Sequence, residues 1–246
     1  MLDKRALLRG ALVSAAYAAL PKMAFSATGS ASLQISPTTL ELDPGGVVTA
    51  NLYNSGNADA NTQARIKRWT QDDTGDVLTD TDDMVVSPPF ATVTPQASQI
   101  LRVADLSTPA AASETAYRLL INQLPSVGEL SGVGIEILLA FSVPVFVSGN
   151  AQTPPSLSYA IVSRGADMFL AVYNAGGTHA RLASVQLRAA SGAVIMAIPG
   201  LAGYALPNAA AMLKLTAAQA AAARDADLFL QTQLDSQRQQ ITRQAE

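Results

Sequence analysis

The chain has 246 residues, 49% of them hydrophobic and 14% charged, which suits one large domain or two ordinary ones and excludes a wholly disordered protein. The formal net charge of -3 argues against non-specific binding to nucleic acid. Because there is no cysteine and only one histidine, His179, disulfides and cysteine nucleophiles are excluded, and a zinc site or catalytic triad has little support.

The first residues have the order of an export signal. Lys4, Arg5 and Arg9 accompany an apolar run that ends at Leu20, and small residues then lead to Ser26. The run is shorter than the roughly 20 residues of a membrane span. We therefore expect cleavage after Ser26 and a mature protein without an integral membrane segment, located outside the cytoplasm. The alternative is an N-terminal helix that stays attached.

From residue 33 onward, short strand patterns alternate with turns, which predicts antiparallel sandwiches rather than alternating strands and helices. The strand patterns of the first half cover residues 33–35, 40–42, 47–53, 62–69, 85–86, 99–103, 117–124 and 135–147. The aspartate-rich stretch 71–83 is predicted to be a solvated loop, because it lacks the spacing of a known calcium loop. Trp69, the only tryptophan, is expected in the first core.

A polar segment with Gly and Pro, residues 148–155, is the predicted linker to a second half of similar style. The strand patterns of that half cover residues 157–162, 168–174, 180–189, 193–198 and 227–234. Residues 216–224 are rich in alanine and predict a helix, and the final Gln- and Arg-rich residues are expected to fray. The predicted division is a signal peptide (1–26), an N-terminal domain (27–149) and a C-terminal domain (150–246).

The longest and most apolar strand pattern ends at Val147. Its large side chains recur at every second position and share one face; they are Ile135, Ile137, Leu139, Phe141 and Val143. Such a face is either the core side of a sandwich or a strand lent to another protein, whose fold it completes with backbone hydrogen bonds and alternate side chains. Pro144 favours an edge position, because it cannot donate to a ladder.

Several stretches, in this order and spacing, resemble the periplasmic pilus-assembly chaperones of the chaperone–usher pathway, the PapD-like family. The branch that assembles archaic or spore-coat-like pili is the most similar. The stretches are Ile35-Ser36-Pro37-Thr38, Ser87-Pro88-Pro89, residues 99–103, residues 114–119, the long apolar strand, residues 174–182 and residues 203–207.

The resemblance implies a non-enzymatic protein that needs no cofactor. It implies two immunoglobulin-like β-sandwich domains in an L-shaped arrangement, the first of which donates its last strand to a pilus subunit. The subunit would then pass to an outer-membrane usher. The sequence does not say which subunits and usher are the partners, or whether the free protein self-associates. Nucleic acid is not expected as a partner.

Members of the family bind the subunit's C-terminal carboxylate with two basic residues, one in the first strand and one in a strand lining the cleft. Here the first-strand position is Thr39, and the long apolar strand carries no Lys or Arg. The resemblance therefore implies other cations, for which Arg118 and Arg102 are the candidates. An ion pair with Asp105 is the alternative for Arg102. Glu114 matches an acidic residue that the family uses in an internal salt bridge, but its arginine partner is not evident.

Two other classes of protein stay open. The chain could itself be a structural pilus or surface subunit, although a subunit usually carries an N-terminal donor extension and lacks one strand. A carbohydrate-active enzyme on a β-sandwich is opposed by the missing cysteines, the single histidine and an aromatic content of only 5%. His179, which follows a turn, is expected to have a structural role where the domains meet.

Overall fold

The structure, a computed structural model, describes residues 29–107, 111–125, 137–150, 153–224, 228–234 and 237–243. In these ranges the chain consists of β-strands, turns and one short helix, which confirms the all-β prediction. The strands form two sandwiches, one that ends at Val147 and one that begins at Leu157. The predicted boundary at residues 149 and 150 falls between them, and the predicted signal peptide lies outside the described residues.

The first sandwich is made of two sheets. Its strands are β1 (Leu33–Ser36), β2 (Leu40–Leu42), β3 (Val47–Asn54), β4 (Ala60–Asp72), β5 (Gly75–Thr79), β6 (Met84–Ser87), β7 (Phe90–Val93), β8 (Ser98–Asp105), β9 (Thr115–Gln123) and β10 (Ala140–Val147). One sheet has the order β1-β3-β8-β6, and the other has the order β2-β10-β9-β4-β5, with β7 paired to β4.

The core of this sandwich follows from strand alternation. Leu101 and Val103 of β8 face Leu119 and Ile121 of β9, and all four side chains are at most 1% exposed. Successive side chains of a strand point to opposite faces of the sheet. The residues between these core positions therefore lie on the outer faces, and the outer face of the second sheet carries the site described below.

Strand β10 has an incomplete set of neighbours. It pairs with β9 in antiparallel orientation along its whole length, Ala140 to Val147. On its other side, it pairs in parallel with β2 only from Val145 to Val147. Among the described residues, the stretch from Ala140 to Pro144 therefore has one edge without a partner strand.

The second sandwich is a continuous seven-stranded sheet in the order β14-β13-β16-β17-β11-β12-β15. Its elements are β11 (Leu157–Arg164), β12 (Asp167–Asn174), β13 (Ala180–Ala189), β14 (Val194–Ala205), β15 (Ala209–Lys214), α1 (Ala217–Arg224), β16 (Leu228–Leu234) and β17 (Gln237–Arg243). Side chains from both ends of this order, such as Leu170 and Val172 on one side and Leu182 and Leu187 on the other, share one core.

The prediction that residues 71–83 form a loop is wrong, because strand β5 folds back onto the end of β4. Asp72 opens the turn, and its Oδ1 accepts hydrogen bonds from the backbone N–H and the hydroxyl of Thr74, at 2.7 and 2.6 Å. Gly75 then adopts a φ of 116°, which favours glycine. The aspartates that suggested a solvated loop are in part the turn residues of a hairpin.

The C-terminal segment also differs from the prediction. Helix α1 and strand β16 are confirmed, but the expected frayed tail contains strand β17. It pairs with β16 in antiparallel and with β11 in parallel orientation. Ile241 places an apolar side chain, 4% exposed, in the second core. A strand with neighbours on both sides satisfies its backbone groups even when its side chains are mostly polar, and composition therefore did not reveal it.

Candidate functional site

The chain that leads into β10 leaves apolar side chains open to solvent. Ile137 is 79% exposed and Leu138 is 40% exposed. Leu139 and Phe141 are partly buried against the first core, and Val143 is 3% exposed within it. Burial of the predicted donor face thus increases along the strand. The fifth member of that face, Ile135, lies outside the described residues.

Three cations lie on the outer face of the sheet that contains β10. Arg65 and Lys67 of β4 alternate with the core positions Ala64 and Ile66, and Lys67 is directly opposite Arg118 of β9. We call Arg65, Lys67 and Arg118 the basic face. Strand alternation places Arg65, Lys67 and Trp69 on one face of β4, but the sequence alone does not show that this strand pairs with the one carrying Arg118.

Arg118 is held between an aromatic ring and a carboxylate. Its guanidinium carbon lies 3.7 Å from the centre of the Trp69 ring, and its nearest described carboxylate oxygen, Asp76 Oδ2, lies at 3.9 Å. The side chain is only 16% exposed. This burial lowers the pKa of Arg118, while Asp76 and Tyr204 act in the opposite direction. An arginine stays charged under these conditions, so the site holds a partly desolvated cation.

The ammonium of Lys67 is hydrogen-bonded to Asp80, whose side chain is 95% exposed. This hydrogen bond, together with the charge of Lys67, lowers the pKa of Asp80. The Lys67 side chain itself is 22% exposed, and an ion pair whose carboxylate is open to solvent contributes little to stability. Lys67 is therefore available to a second anion beside Arg118.

The structure does not bring the two predicted anchor residues together. Arg102 is exposed on the outer face of the β1-β3-β8-β6 sheet, on the opposite side of the sandwich from Arg118. The alternative ion pair is also wrong, since the alternation of β8 turns Arg102 outward and Asp105 inward. Asp105 instead accepts hydrogen bonds from the backbone N–H groups of Gly45 and Ser107 at 2.8 and 3.1 Å.

Trp69 packs where the two sandwiches meet, so the prediction that it belongs to the first core is wrong. It lies on the same outer face as Lys67, because alternation along β4 turns both side chains away from the core. The contact, which we call the aromatic contact, consists of Trp69, Ala116, Phe146, Tyr204 and Leu206. Tyr204 meets the Trp69 ring edge-on, with 5.8 Å between centres and 87° between planes.

Polar groups join the two sandwiches around the aromatic contact. Glu114 accepts hydrogen bonds at 2.9 Å from the backbone N–H of His179 and pairs with its Nδ1 at 2.9 Å. The imidazole stacks on Phe146 with ring centres 3.6 Å apart. His179 lies between the two sandwiches, where a structural role was expected for it. Glu114 has this histidine as its partner, in place of the arginine expected from the family.

Gln71 forms a second link between the sandwiches. Its Oε1 accepts from the backbone N–H of Leu206 at 2.9 Å, and its Nε2 donates to the carbonyl of Tyr204 at 2.8 Å. The same Nε2 donates to Asp76 Oδ1 at 2.8 Å. Asp76 thus connects the domain contact to Arg118.

A cavity of about 490 Å³ lies beside Gln71, between the β4–β5 turn and the edge of the second sandwich. It is lined by polar side chains that include Asp73, Arg164 and Tyr173, and Arg164 Nε lies 3.8 Å from Asp73 Oδ2. Across the described ranges, three or more potential metal ligands do not come together. No helix in those ranges has the length and apolar character needed to cross a bilayer.

Residues 32–151 match the family of pili and flagellar-assembly chaperones, PapD N-terminal domain. This match covers the first sandwich, including β10 and the basic face. No curated protein matches the sequence of the chain.

Solved structures share the fold across both sandwiches. The chain is similar to a structure of the CsuC–CsuE chaperone–tip adhesion subunit complex of archaic Csu pili from Acinetobacter baumannii, with 20% identity, a TM-score of 0.69, and coverage of 87% of this chain and 100% of the other. The Salmonella enterica SafA pilin in complex with the SafB chaperone is 18% identical, with a TM-score of 0.61 and coverage of 88% of this chain and 98% of the other. The E. coli chaperone DraB is 14% identical, with a TM-score of 0.57 and coverage of 87% of this chain and 98% of the other.

At these identities the likeness shows the fold, which is that of two-domain β-sandwich proteins. It extends over the second sandwich, which lies beyond the family match. The predicted fold class is confirmed.

Proposed function

The first sandwich belongs to the family of PapD-like pilus-assembly chaperones, and from this premise we propose that the whole chain is such a chaperone, which binds pilus subunits by donating an edge strand and delivers them to an outer-membrane usher. The observation that carries the proposal is the exposed apolar approach to β10. Ile137 is 79% exposed and is followed by a strand edge without a described neighbour. Proteins normally suppress such edges, because they promote aggregation. An edge that is kept open is typical of a surface that pairs with another chain.

The free edge supplies both parts of a strand-addition surface. Its backbone groups can continue a ladder into the partner, and its exposed side chains can enter the partner's unfinished core. Burial of apolar surface stabilises such a complex by about 25 cal/mol per Å². The apolar side chains of Ile137 and Leu138 are already exposed and available for burial against a partner. Leu139 and Phe141 are only partly covered by the first core.

The basic face supplies the proposed anchor for the subunit's C-terminal carboxylate. Arg118 stays the first candidate, and Lys67, opposite it on β4, replaces Arg102 as the second. The reason is geometric, because Arg102 lies on the other side of the sandwich and cannot share a ligand with Arg118. A guanidinium suits a carboxylate, since two N–H groups can bond both oxygens.

The remaining parts of the proposal rest on the family and on the sequence. The protein is exported to the periplasm by residues 1–26, and its domains are residues 27–149 and 150–246. It catalyses no reaction and uses no cofactor. Self-association of the free form is a further expectation, in which a second copy would cover this edge until a subunit displaces it.

The test is co-expression with candidate pilus subunits encoded near the gene, followed by purification from periplasmic extract. The native chain should co-purify with a subunit in a one-to-one complex, and Ile137→Asp should lose it while staying folded, because Ile137 packs against little. Val194→Asp, at a 50% exposed apolar position of the second sandwich, is the matched control and should keep the complex.

Phe141→Asp should lose the complex and also destabilise the first sandwich, because Phe141 packs partly against its core. If Ile137→Asp itself unfolds the chain, residue 137 belongs to the core and the strand-donation proposal is wrong. If no subunit co-purifies with the native chain, the result would favour the structural surface subunit instead.

A further inference from the structure

We propose that Trp69 is a positioning residue that fixes the guanidinium of Arg118 for carboxylate binding, and that the second domain controls this through Tyr204. The inference rests on the proposed anchoring role of Arg118. It adds that the anchor is assembled by both domains, although Arg118 and Trp69 both belong to the first.

The geometry of the stack carries the first step. The guanidinium carbon of Arg118 lies 3.7 Å from the centre of the indole, within the range of a close cation–π contact. Trp69 is 1% exposed, so its ring is fixed by packing. An arginine side chain normally loses much rotational freedom on binding a ligand. A guanidinium already held on a rigid ring has less freedom to lose, which favours binding.

The guanidinium of Arg118 is fixed in position, but its N–H donors are not used in hydrogen bonds to the described residues. The nearest described carboxylate oxygen, Asp76 Oδ2, lies at 3.9 Å, which is beyond hydrogen-bonding distance. Within the described ranges, the guanidinium of Arg118 has no hydrogen-bond acceptor, and Asp76 Oδ1 is occupied by Gln71. The N–H donors of Arg118 are therefore free to bond an incoming carboxylate more closely than Asp76 does.

The second domain holds the indole in place. Tyr204 contacts the Trp69 ring edge-on at 5.8 Å, and Phe146 lies 6.0 Å away on the side of the first domain. Gln71 fixes the same region, since it bonds the backbone of Tyr204 and Leu206. A change in how the domains meet would therefore move the ring on which Arg118 rests.

Burial is what makes this arrangement selective for an anion. The Trp69 Nε1 atom is buried without a hydrogen-bond partner among the described residues, so the ring contributes its face and not a donor. The charge at the site comes from Arg118 beside it. A ligand with a terminal carboxylate should bind there, whereas the same ligand ending in an amide should not.

The experiment uses the full chain and two synthetic probes, an N-acetylated apolar tripeptide with a free C-terminal carboxylate and the same tripeptide as an amide. The chain has one tryptophan, so its indole N–H gives one resonance in a nitrogen–proton NMR spectrum. We expect the carboxylate probe to shift that resonance saturably and the amide probe to leave it unchanged. Arg118→Ala should abolish the shift.

Titration calorimetry with the carboxylate probe compares the variants. Trp69→Leu should lower the affinity about tenfold, because it removes a largely desolvated cation–π contact. Trp69→Phe keeps a ring face and should restore most of the affinity. Tyr204→Leu should weaken binding in the same direction as Trp69→Leu, and Tyr204→Phe, which keeps the edge contact, should not. Circular dichroism confirms that each variant is folded.

Two results would overturn this inference but leave the chaperone proposal unaffected. One is a carboxylate probe that binds with equal affinity to Trp69→Leu, Tyr204→Leu and the native chain. The other is a native chain that binds neither probe, even though it captures a subunit through the edge at Ile137. If Trp69→Leu does not fold, the indole shift in the native chain and the Tyr204 pair of variants still decide the matter.

Discussion

The contact between Glu114 and His179 shows how much a single polar pair contributes where two domains meet. The carboxylate is 9% exposed and the imidazole 16%. Glu114 binds both the backbone and the side chain of His179, and its own backbone N–H donates to the carbonyl of Gly177 at 3.0 Å. A buried carboxylate with this many partners is costly to remove, because the donors it leaves behind are cut off from water.

We expect Glu114→Ala to lower the free energy of unfolding by about 2 kcal/mol, the range for hydrogen bonds that involve a charged group. Chemical denaturation followed by circular dichroism measures it. Asp167→Ala removes the exposed pair with Lys214 and serves as the matched control, with little expected change. Equal effects of the two substitutions would show that the Glu114–His179 contact contributes no more than a surface ion pair.

At the scale of elements, the sequence predicted strands well where apolar alternation is strong. Strands β3, β8 and β12 fall within two residues of their predicted bounds. Four strands were not predicted, β5, β7, β15 and β17, and two of them lie in stretches of polar composition. Strand β5 lies in an aspartate-rich stretch, and β17 lies in a Gln- and Arg-rich one. Both are held by backbone pairing with neighbours that local sequence does not identify.

Strand β17 gives a direct test of that explanation. Ile241 is the side chain by which it enters the second core. We expect Ile241→Ala to destabilise the chain by about 2–4 kcal/mol, as for other buried large-to-small substitutions. Gln240→Ala, at an exposed neighbouring position, should change the thermal midpoint little. If the two variants have the same midpoint as the native chain, residues 237–243 do not contribute to the fold.

At the scale of the whole molecule, the candidate site depends on pairings between distant parts of the chain. Arg118 could be nominated from the sequence as a charge among apolar strand residues. Lys67 and Trp69 could not be linked to it, because their nearness follows from the register of β4 against β9. Arg102 was nominated together with Arg118 because both were expected in strands that flank the cleft, but its strand belongs to the other sheet.

The aromatic contact also couples the stability of the two domains. We expect differential scanning calorimetry of the native chain to give a single cooperative transition, since each domain buries aromatic surface against the other. Tyr204→Ala should separate this into two transitions, because it removes the ring that meets Trp69 from the second domain. Leu201→Ala, at a 49% exposed position on the same strand, is the control. Two independent transitions in the native chain would contradict the coupling.

The most direct measurement of the chaperone role is refolding of a pilus subunit. A candidate subunit is diluted from denaturant into buffer with or without an equimolar amount of the native chain, and the soluble product is analysed by size and by resistance to protease. The expected result is a soluble one-to-one complex with a protected subunit, formed by the native chain and not by Ile137→Asp. A subunit that aggregates to the same extent with and without the native chain would contradict the proposed function.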